Sequence, residues 1–305
     1  MWNKTITAPL VTLASLLSVS MLTACGGGSS DGATQPPPQV NLCAEFGDGA
    51  QCDIAAGRRF QLISPAAAAT TPMPVLIAFH GSPPSYGTPA KLNQFLALQQ
   101  FADQYGYLIA LPQGGDDWAW SSELQPGTAL SADTRYTQAV IDRLVSAHNA
   151  DAAKVATLGF SAGAMMSYQL ICQLPEQVKA AFTVSGQAVG ELTDCQPAVP
   201  VALHHLHGTD DAEMSINGRV SISGKLINSL EDTVARFRQI NGCATNVQQT
   251  GPWPLQTAGN LATRFEYQGC IQATGYTLVD TTEHQPDYVK AELHTLMSEL
   301  FNSAF

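Results

Sequence analysis

An α/β fold, with a mostly parallel sheet covered by helices on both faces, is what this sequence predicts, and three observations carry it. Short apolar runs ending in glycine, "PVLIAFHG" (Pro74 to Gly81) and "GYLIALPQGG" (Gly106 to Gly115), have the unbroken hydrophobicity of strands buried on both faces. Segments with apolar residues at helical spacing stand beside them. The two patterns then alternate along the chain, which in one domain means βαβ units.

The elements follow in order. Between the first two runs, Lys91 to Tyr105 places Leu92, Phe95, Leu96, Leu98 and Phe101 close to helical spacing, completing a βαβ unit. Thr134 to Asn149 carries Val140, Ile141, Leu144 and Val145 on one helical face, and Lys154 to Phe160 is the next strand. Further strands are expected at Ala180 to Val184, Val201 to Leu206 and Tyr276 to Val279. Helices are expected at Lys225 to Ile240, with Leu230, Val234 and Phe237 inward and Gly242 past the end, and at Asp287 to Asn302, with Val289, Leu293, Met297 and Leu300. In such sheets ligands sit beyond the carboxyl ends of the strands.

The first 24 residues have one basic residue, Lys4, then an apolar stretch, Ile6 to Ala24, and small residues before Cys25, the layout of an export signal. "LTAC" (Leu22 to Cys25) resembles the lipobox of bacterial lipoproteins, which implies a lipid on Cys25 and attachment to a membrane through it. Gly26 after that cysteine, in place of Asp, resembles lipoproteins sorted to the outer membrane, so a periplasmic, outer-membrane or cell-surface location is expected. Residues 25–40, with "GGGSSDGATQPPP", cannot bury a core and read as a tether; 41–305 reads as one domain.

A formal net charge of −11, with only 14 Lys and Arg, argues against nucleic acid as a partner. Seven cysteines become six once Cys25 is set aside, an even number in an exported chain. Fifteen pairings are possible. The neighbouring pairs Cys43/Cys52, Cys172/Cys195 and Cys243/Cys270 are expected, and no spacing among them is that of a zinc site.

The stretch "KVATLGFSAGAMMSYQLI" (Lys154 to Ile171) sets Ser161 between glycines where a strand gives way to a helix. The bare G-x-S-x-G pattern decides nothing alone. Its context is that of a nucleophile elbow: Gly159 and Gly163 remove side chains where strand and helix crowd, so Ser161 can hold a strained turn with its hydroxyl exposed. A serine hydroxyl is a poor nucleophile unaided, so it needs a base, and the base an acid to orient it, in the chain order Ser, Asp, His.

The acid belongs in "HGTDDAE", after the "VALHHL" strand, with Asp211 preferred to Asp210. Of seven histidines, His148 and His294 fall on helices and His204 and His205 inside a strand; His284, in the loop "TTEHQPDY" after the last strand, sits where the base belongs. The run "HHLHGTDD" invites a metal reading, but Thr209 occupies the position an aspartate would need and the next histidine is missing. Donors for a developing oxyanion are expected from the backbone N–H of Ala162 and of Ser82, in a turn shaped by His80 and Gly81. Trp118 and Trp120 are candidates to line the acyl pocket or a sugar-stacking rim, with buried packing the equal alternative for either.

The segments "LIAFHG", "IALPQGGDDWAW", "LGFSAGAMMSYQLICQLPEQVKAAFTVSG", "HLHGTDD" and "NGCATN" with "YQGC" resemble the polyhydroxybutyrate depolymerase and feruloyl esterase group of secreted α/β-hydrolases, from about Pro74 to His284. The resemblance implies the α/β-hydrolase fold, Ser161 as nucleophile, Asp211 as acid and His284 as base, and supports a Cys243/Cys270 bridge. Two loops depart from it: "EHQPDY" lacks the tryptophan common after the final histidine, and "SPPSYG" is proline-rich. The expected function is carboxylic-ester hydrolysis without metal or cofactor. The acyl substrate would be a hydroxyalkanoate oligomer, or an aromatic-acid or acetyl ester of a polysaccharide. A serine peptidase on the same scaffold, and a surface-displayed binding protein with silent machinery, are the competing expectations.

Overall fold

A computed structural model describes residues 51–54, 58–67, 69–83, 87–115, 119–125 and 129–305. The expected leader 1–24, Cys25, the tether 25–40, Cys43 and Trp118 lie outside them.

The strands are β1 (Gln51–Ile54), β2 (Arg58–Ile63), β3 (Met73–Phe79), β4 (Leu108–Pro112), β5 (Ala150–Phe160), β6 (Val178–Val184), β7 (Ala202–Gly208), β8 (Arg219–Val220), β9 (Leu226–Ile227), β10 (Val247–Pro254), β11 (Leu261–Tyr267) and β12 (Thr274–Val279). Ten of them form one sheet in the order β1-β2-β4-β3-β5-β6-β7-β12-β11-β10. From β4 to β12 every neighbouring pair is parallel, and two antiparallel strands extend each edge.

The helices are α1 (Pro89–Leu96), α2 (Leu98–Tyr105), α3 (Ala132–Ala147), α4 (Ala162–Gln173), α5 (Leu230–Ile240) and α6 (Lys290–Ala304). One face of the sheet is packed by α3, α4 and α5 through Val140, Leu144, Met166, Leu170 and Phe237. The other is packed by α1, α2 and α6 through Leu92, Leu96, Phe101, Leu293 and Met297. The predicted α/β architecture with helices on both faces is therefore the observed one. Among the described residues no helix is long and apolar enough to cross a membrane.

Three boundaries differ from expectation. The helix expected over Lys91 to Tyr105 is broken at Ala97, which is left-handed (φ 51°), while the Asn93 side chain accepts the Gln99 N–H at 3.0 Å and starts the second helix. The helix expected from Lys225 starts at Leu230, because Ser229 caps it by accepting the Asp232 N–H at 3.0 Å and Leu226–Ile227 pairs with β8 instead. The last helix begins at Lys290 rather than Asp287, since Tyr288 forms a bridge with Gln256.

Cys172–Cys195 and Cys243–Cys270 are disulfides, as the neighbouring-pair reading expected. The third expected pair, Cys43/Cys52, lies outside the residues whose side chains are described; the backbone of Cys52 stands in β1 with Phe60 of β2 as its register partner.

Candidate active site

Every chemically distinctive loop sits at the carboxyl end of a parallel strand. His80 to Ser82 follow β3, Ser161 follows β5, Asp211 lies beyond β7 and His284 beyond β12. The parallel order β3-β5-β6-β7-β12 lines these loops up along one edge of the sheet.

Ser161 is held at φ 55° and ψ −120°, a conformation an L residue adopts only under constraint. The constraint is crowding between strand and helix. A Cβ on Gly159 would lie 2.1 Å from the Gly163 carbonyl oxygen, and one on Gly163 would lie 2.1 Å from that of Phe79. On the other side, a Cβ on Gly186 would meet the Ser161 carbonyl oxygen at 2.3 Å. The Ser161 N–H donates to the Val184 carbonyl at 2.8 Å, tying the turn to β6. Ala162 opens α4, so its N–H has no carbonyl within the helix to receive it.

The His284 ring bridges the serine and the acid: Nδ1 lies 2.7 Å from Asp211 Oδ2 and Nε2 lies 3.0 Å from Ser161 Oγ. A carboxylate only accepts, so Nδ1 carries the proton and Nε2 is the bare nitrogen that faces the hydroxyl. The ring packs against Phe160 with centroids 5.0 Å apart. The base loop and the acid loop are laced together: Thr209 N–H donates to Val279, Asp210 N–H to Thr282, each at 3.0 Å, and a Cβ on Gly208 would lie 2.2 Å from the Thr282 oxygen.

Asp211 is buried and accepts from the Met214 N–H at 2.7 Å through Oδ1. Burial by itself would raise its carboxyl, but hydrogen bonds from His207, His284 and the Met214 N–H outweigh burial and hold it well below the usual carboxylate range. It therefore stays an anion beside the imidazole. Asp210, by contrast, is exposed, so the preference for Asp211 matches the geometry.

The turn after β3 abuts the serine: a Cβ on Gly81 would come within 3.3 Å of the Ser161 Cβ. His80 fixes this turn from beneath. Its Nε2 accepts the Gly114 N–H at 3.0 Å, so Nδ1 is the protonated nitrogen and donates to the Gly81 carbonyl at 2.7 Å. The Ser82 N–H belongs to the same planar peptide unit and points the opposite way. Burial, with the Arg58 charge adding to it and the Gly81 hydrogen bond opposing it, brings the His80 pKa down to about 4, so this histidine is a neutral prop.

Residues 107–249 match the family described as phospholipase/carboxylesterase. The acetyl xylan esterase of Aspergillus awamori superposes with a TM-score of 0.56 at 15% identity, over 81% of this chain and 94% of that one. The chain has the α/β-hydrolase fold. It is 29% identical over 159 residues to the bifunctional acetylxylan esterase/xylanase of Neocallimastix patriciarum, a match spanning 51% of this chain and 22% of that protein. It is 26% identical over 189 residues to feruloyl esterase B of Piromyces equi, spanning 59% of this chain and 34% of that protein. The expected resemblance to an esterase group of α/β-hydrolases thus agrees with the relatives found, and the chain spans about a third or less of the length of these two.

One expected site residue lies elsewhere in the fold. Trp120 is no substrate platform: it is 8% exposed, donates its indole N–H to the His80 carbonyl at 2.9 Å and packs edge-on against Phe79. It braces the turn after β3. The "HHLH" run is buried: His204 pairs with Thr277, while His205 and His207 pair with each other. Among the described residues no three His, Cys, Asp or Glu side chains converge as a metal ion requires. His207 is the residue that reading by loop position missed. Its signal was the alternate spacing of His205 and His207, which puts both rings on one face of a strand leading to the acid.

Proposed function

We propose that this α/β-hydrolase is an exported serine carboxylic-ester hydrolase acting on acyl esters of polysaccharides, with Ser161 as nucleophile, His284 as base and Asp211 as the acid. The observation that carries the reading is the continuous hydrogen-bonded line from Ser161 Oγ through His284 to Asp211 Oδ2, at 3.0 and 2.7 Å, built on a strained serine. Relatives whose names are acetylxylan and feruloyl esterases favour a polysaccharide acyl ester over a hydroxyalkanoate oligomer. The sequence before residue 41 supports export and a lipid on Cys25.

The reaction follows from the atoms in place. As Ser161 Oγ attacks the ester carbonyl, His284 Nε2 takes its proton, and anionic Asp211 stabilises the imidazolium through Nδ1–H. The carbonyl oxygen turns anionic and is met by the N–H groups of Ala162 and Ser82. His284 then returns the proton to the departing alcohol, leaving an acyl-enzyme, and water repeats the cycle.

The test compares wild type with Ser161→Ala on acetylated xylan, methyl ferulate, hydroxybutyrate oligomers and a peptide amide. A lost nucleophile should lower turnover on the order of 10⁴–10⁶-fold. Equal rates in the two proteins reject the mechanism. Peptide cleavage, or preference for the hydroxybutyrate oligomers, rejects the substrate class. Detergent partitioning of Cys25→Ser against wild type tests the anchor: unchanged partitioning removes it.

A further inference from the structure

Behind Asp211, on the side away from His284, lies a buried line of side chains that the reaction above does not use. His207 Nε2 is 2.7 Å from the Met214 carbonyl oxygen and 3.1 Å from Asp211 Oδ2. His207 Nδ1 is 2.8 Å from His205 Nε2, and His205 Nδ1 is 2.7 Å from the Tyr168 hydroxyl. Thr183 Oγ1 lies 3.0 Å from both His205 Nδ1 and that hydroxyl. Tyr168, Thr183, His205 and His207 are all fully buried.

Elementary hydrogen-bond chemistry sets the direction at the Asp211 end, and the rest of the line follows from it. A carbonyl and a carboxylate only accept, so His207 Nε2 carries a proton shared between Met214 and Asp211. With the proton on Nε2, His207 presents Nδ1 as an acceptor, and His205 Nε2–H fills it. That leaves His205 Nδ1 bare to accept a hydroxyl proton, and the Tyr168 O–H at 2.7 Å is nearer than the Thr183 O–H at 3.0 Å. Each donor therefore lies farther from Asp211 than its acceptor, and the polarised line ends on the carboxylate. The interior favours the neutral phenol and the neutral His205 ring: burial pushes the Tyr168 phenol well up and pushes His205 well below the ordinary value, against the pull of Asp211. The strand pleat supplies the alignment, since His205 and His207 stack at 5.1 Å and 11° on one face of β7, against Tyr168 from α4.

Resting on the triad reading above, we infer that His207 is a positioning residue for Asp211, and that the Tyr168–His205–His207 line sets how strongly that carboxylate supports His284 during ester hydrolysis. His207 and His284 donate to the same oxygen, Oδ2, so His207 fixes that oxygen in space and takes up part of its charge. The titratable groups facing His207 are Asp211, His205 and, along the line, Tyr168. Glu213, 3.9 Å from His284 Nε2 and 71% exposed, is common to every variant compared.

The test uses the full chain with His207→Leu, His207→Gln and Tyr168→Phe, each normalised by fluorophosphonate titration of reactive serine and assayed on a nitrophenyl acetate. In His207→Leu, kcat should fall about tenfold to a hundredfold with KM within about twofold. Loss of the donor concentrates charge toward the imidazole, so the base protonates at higher pH and the acid limb of kcat/KM should move up by about half a unit or more. His207→Gln, which keeps an N–H for Asp211, should recover most of both effects, and Tyr168→Phe, which keeps the ring, should show a smaller shift of the same sign. A role in packing alone would lower the titrated fraction and leave the profile fixed. An unmoved profile in fully titrated His207→Leu, or Gln no better than Leu, overturns the inference. Wild type that fails to label at Ser161 sinks the triad reading as well; labelled wild type with an unmoved variant profile sinks the relay alone.

Discussion

Replacing Gly159 by alanine adds one methyl group at the point where β5 and α4 are closest. That Cβ would stand 2.1 Å from the Gly163 oxygen, 2.3 Å from its carbonyl carbon and 2.5 Å from the Ala164 nitrogen, all backbone atoms that no rotamer change can clear. Ordinary contact begins near 3.4 Å, so strand and helix must part by 1.3 Å, the difference between 3.4 and 2.1. The helix cannot simply retreat, because Gly163 is itself seated against the Phe79 carbonyl. Parting by that distance takes Ser161 Oγ, now 3.0 Å from His284 Nε2, out of hydrogen-bond reach. A misplacement of about 1 Å costs roughly 10²-fold in rate. The overpacking costs about 3 kcal/mol, equivalent to a Tm lower by about 6–12 °C in a domain of this size. Gly115→Ala is the control, since among the described residues a Cβ there meets the Ala119 oxygen at an ordinary 3.7 Å, and it should change neither quantity. Thermal unfolding and esterase kinetics on both variants check the argument. A Gly159→Ala protein with wild-type Tm and kcat would refute the crowding account of the strained serine.

The remaining predictions concern stability and the turn after β3. His80, His204 and His205 are held neutral by burial, at about 4, about 3 and well below the ordinary value of 6.5, so the unfolded chain binds protons that the folded one refuses. Their contribution is complete above about pH 6.5 and is lost as pH falls from there toward their folded values, at about 1.4 kcal/mol per pH unit for each histidine. Urea midpoints that stay flat between pH 7 and 5 would contradict this. The depressed Asp211 carboxyl works in the same sense at lower pH, its stabilisation being present above the usual carboxylate value and lost below it. Cys243→Ser with Cys270→Ser opens a link between residues 27 apart and should lower unfolding free energy by about 3 kcal/mol, measurable in denaturant. Trp120→Phe removes the indole donor from the His80 carbonyl; it should cost about 1–3 kcal/mol and lower kcat several-fold while KM holds, and a shift confined to KM would restore Trp120 as a substrate contact.

The parts of the fold that could be read in advance are those where burial on both faces leaves a continuous apolar run. β3, β4, β5 and β6 are such runs, and their order with the helices gave the layered architecture. β10 and β11 could not be read, because β10 is almost wholly exposed and carries no alternation, so its pairing partner rather than its side chains makes it a strand. The break at Ala97 was equally hidden, since it rests on a local contest in which the Asn93 side chain takes a backbone N–H from the helix. Trp120 shows the limit for single residues. A tryptophan near a glycine-rich turn suits stacking or bracing alike, and only the position of the His80 carbonyl tells them apart.

What the linear order of residues determined is the chemistry on offer and its sequence: a serine on an elbow, then an aspartate, then a histidine, each in a loop after a strand. This follows because strand hydrophobicity and glycine placement are local properties. What only the folded chain decided is distance. Asp211 rather than Asp210 reaches His284, and His207 reaches Asp211, because the parallel sheet brings the ends of β5, β7 and β12 to one edge, so that Ser161 and His284, 123 residues apart, stand 3.0 Å apart. Register and pleat set those separations, and both are collective properties of the sheet that no short stretch of sequence contains.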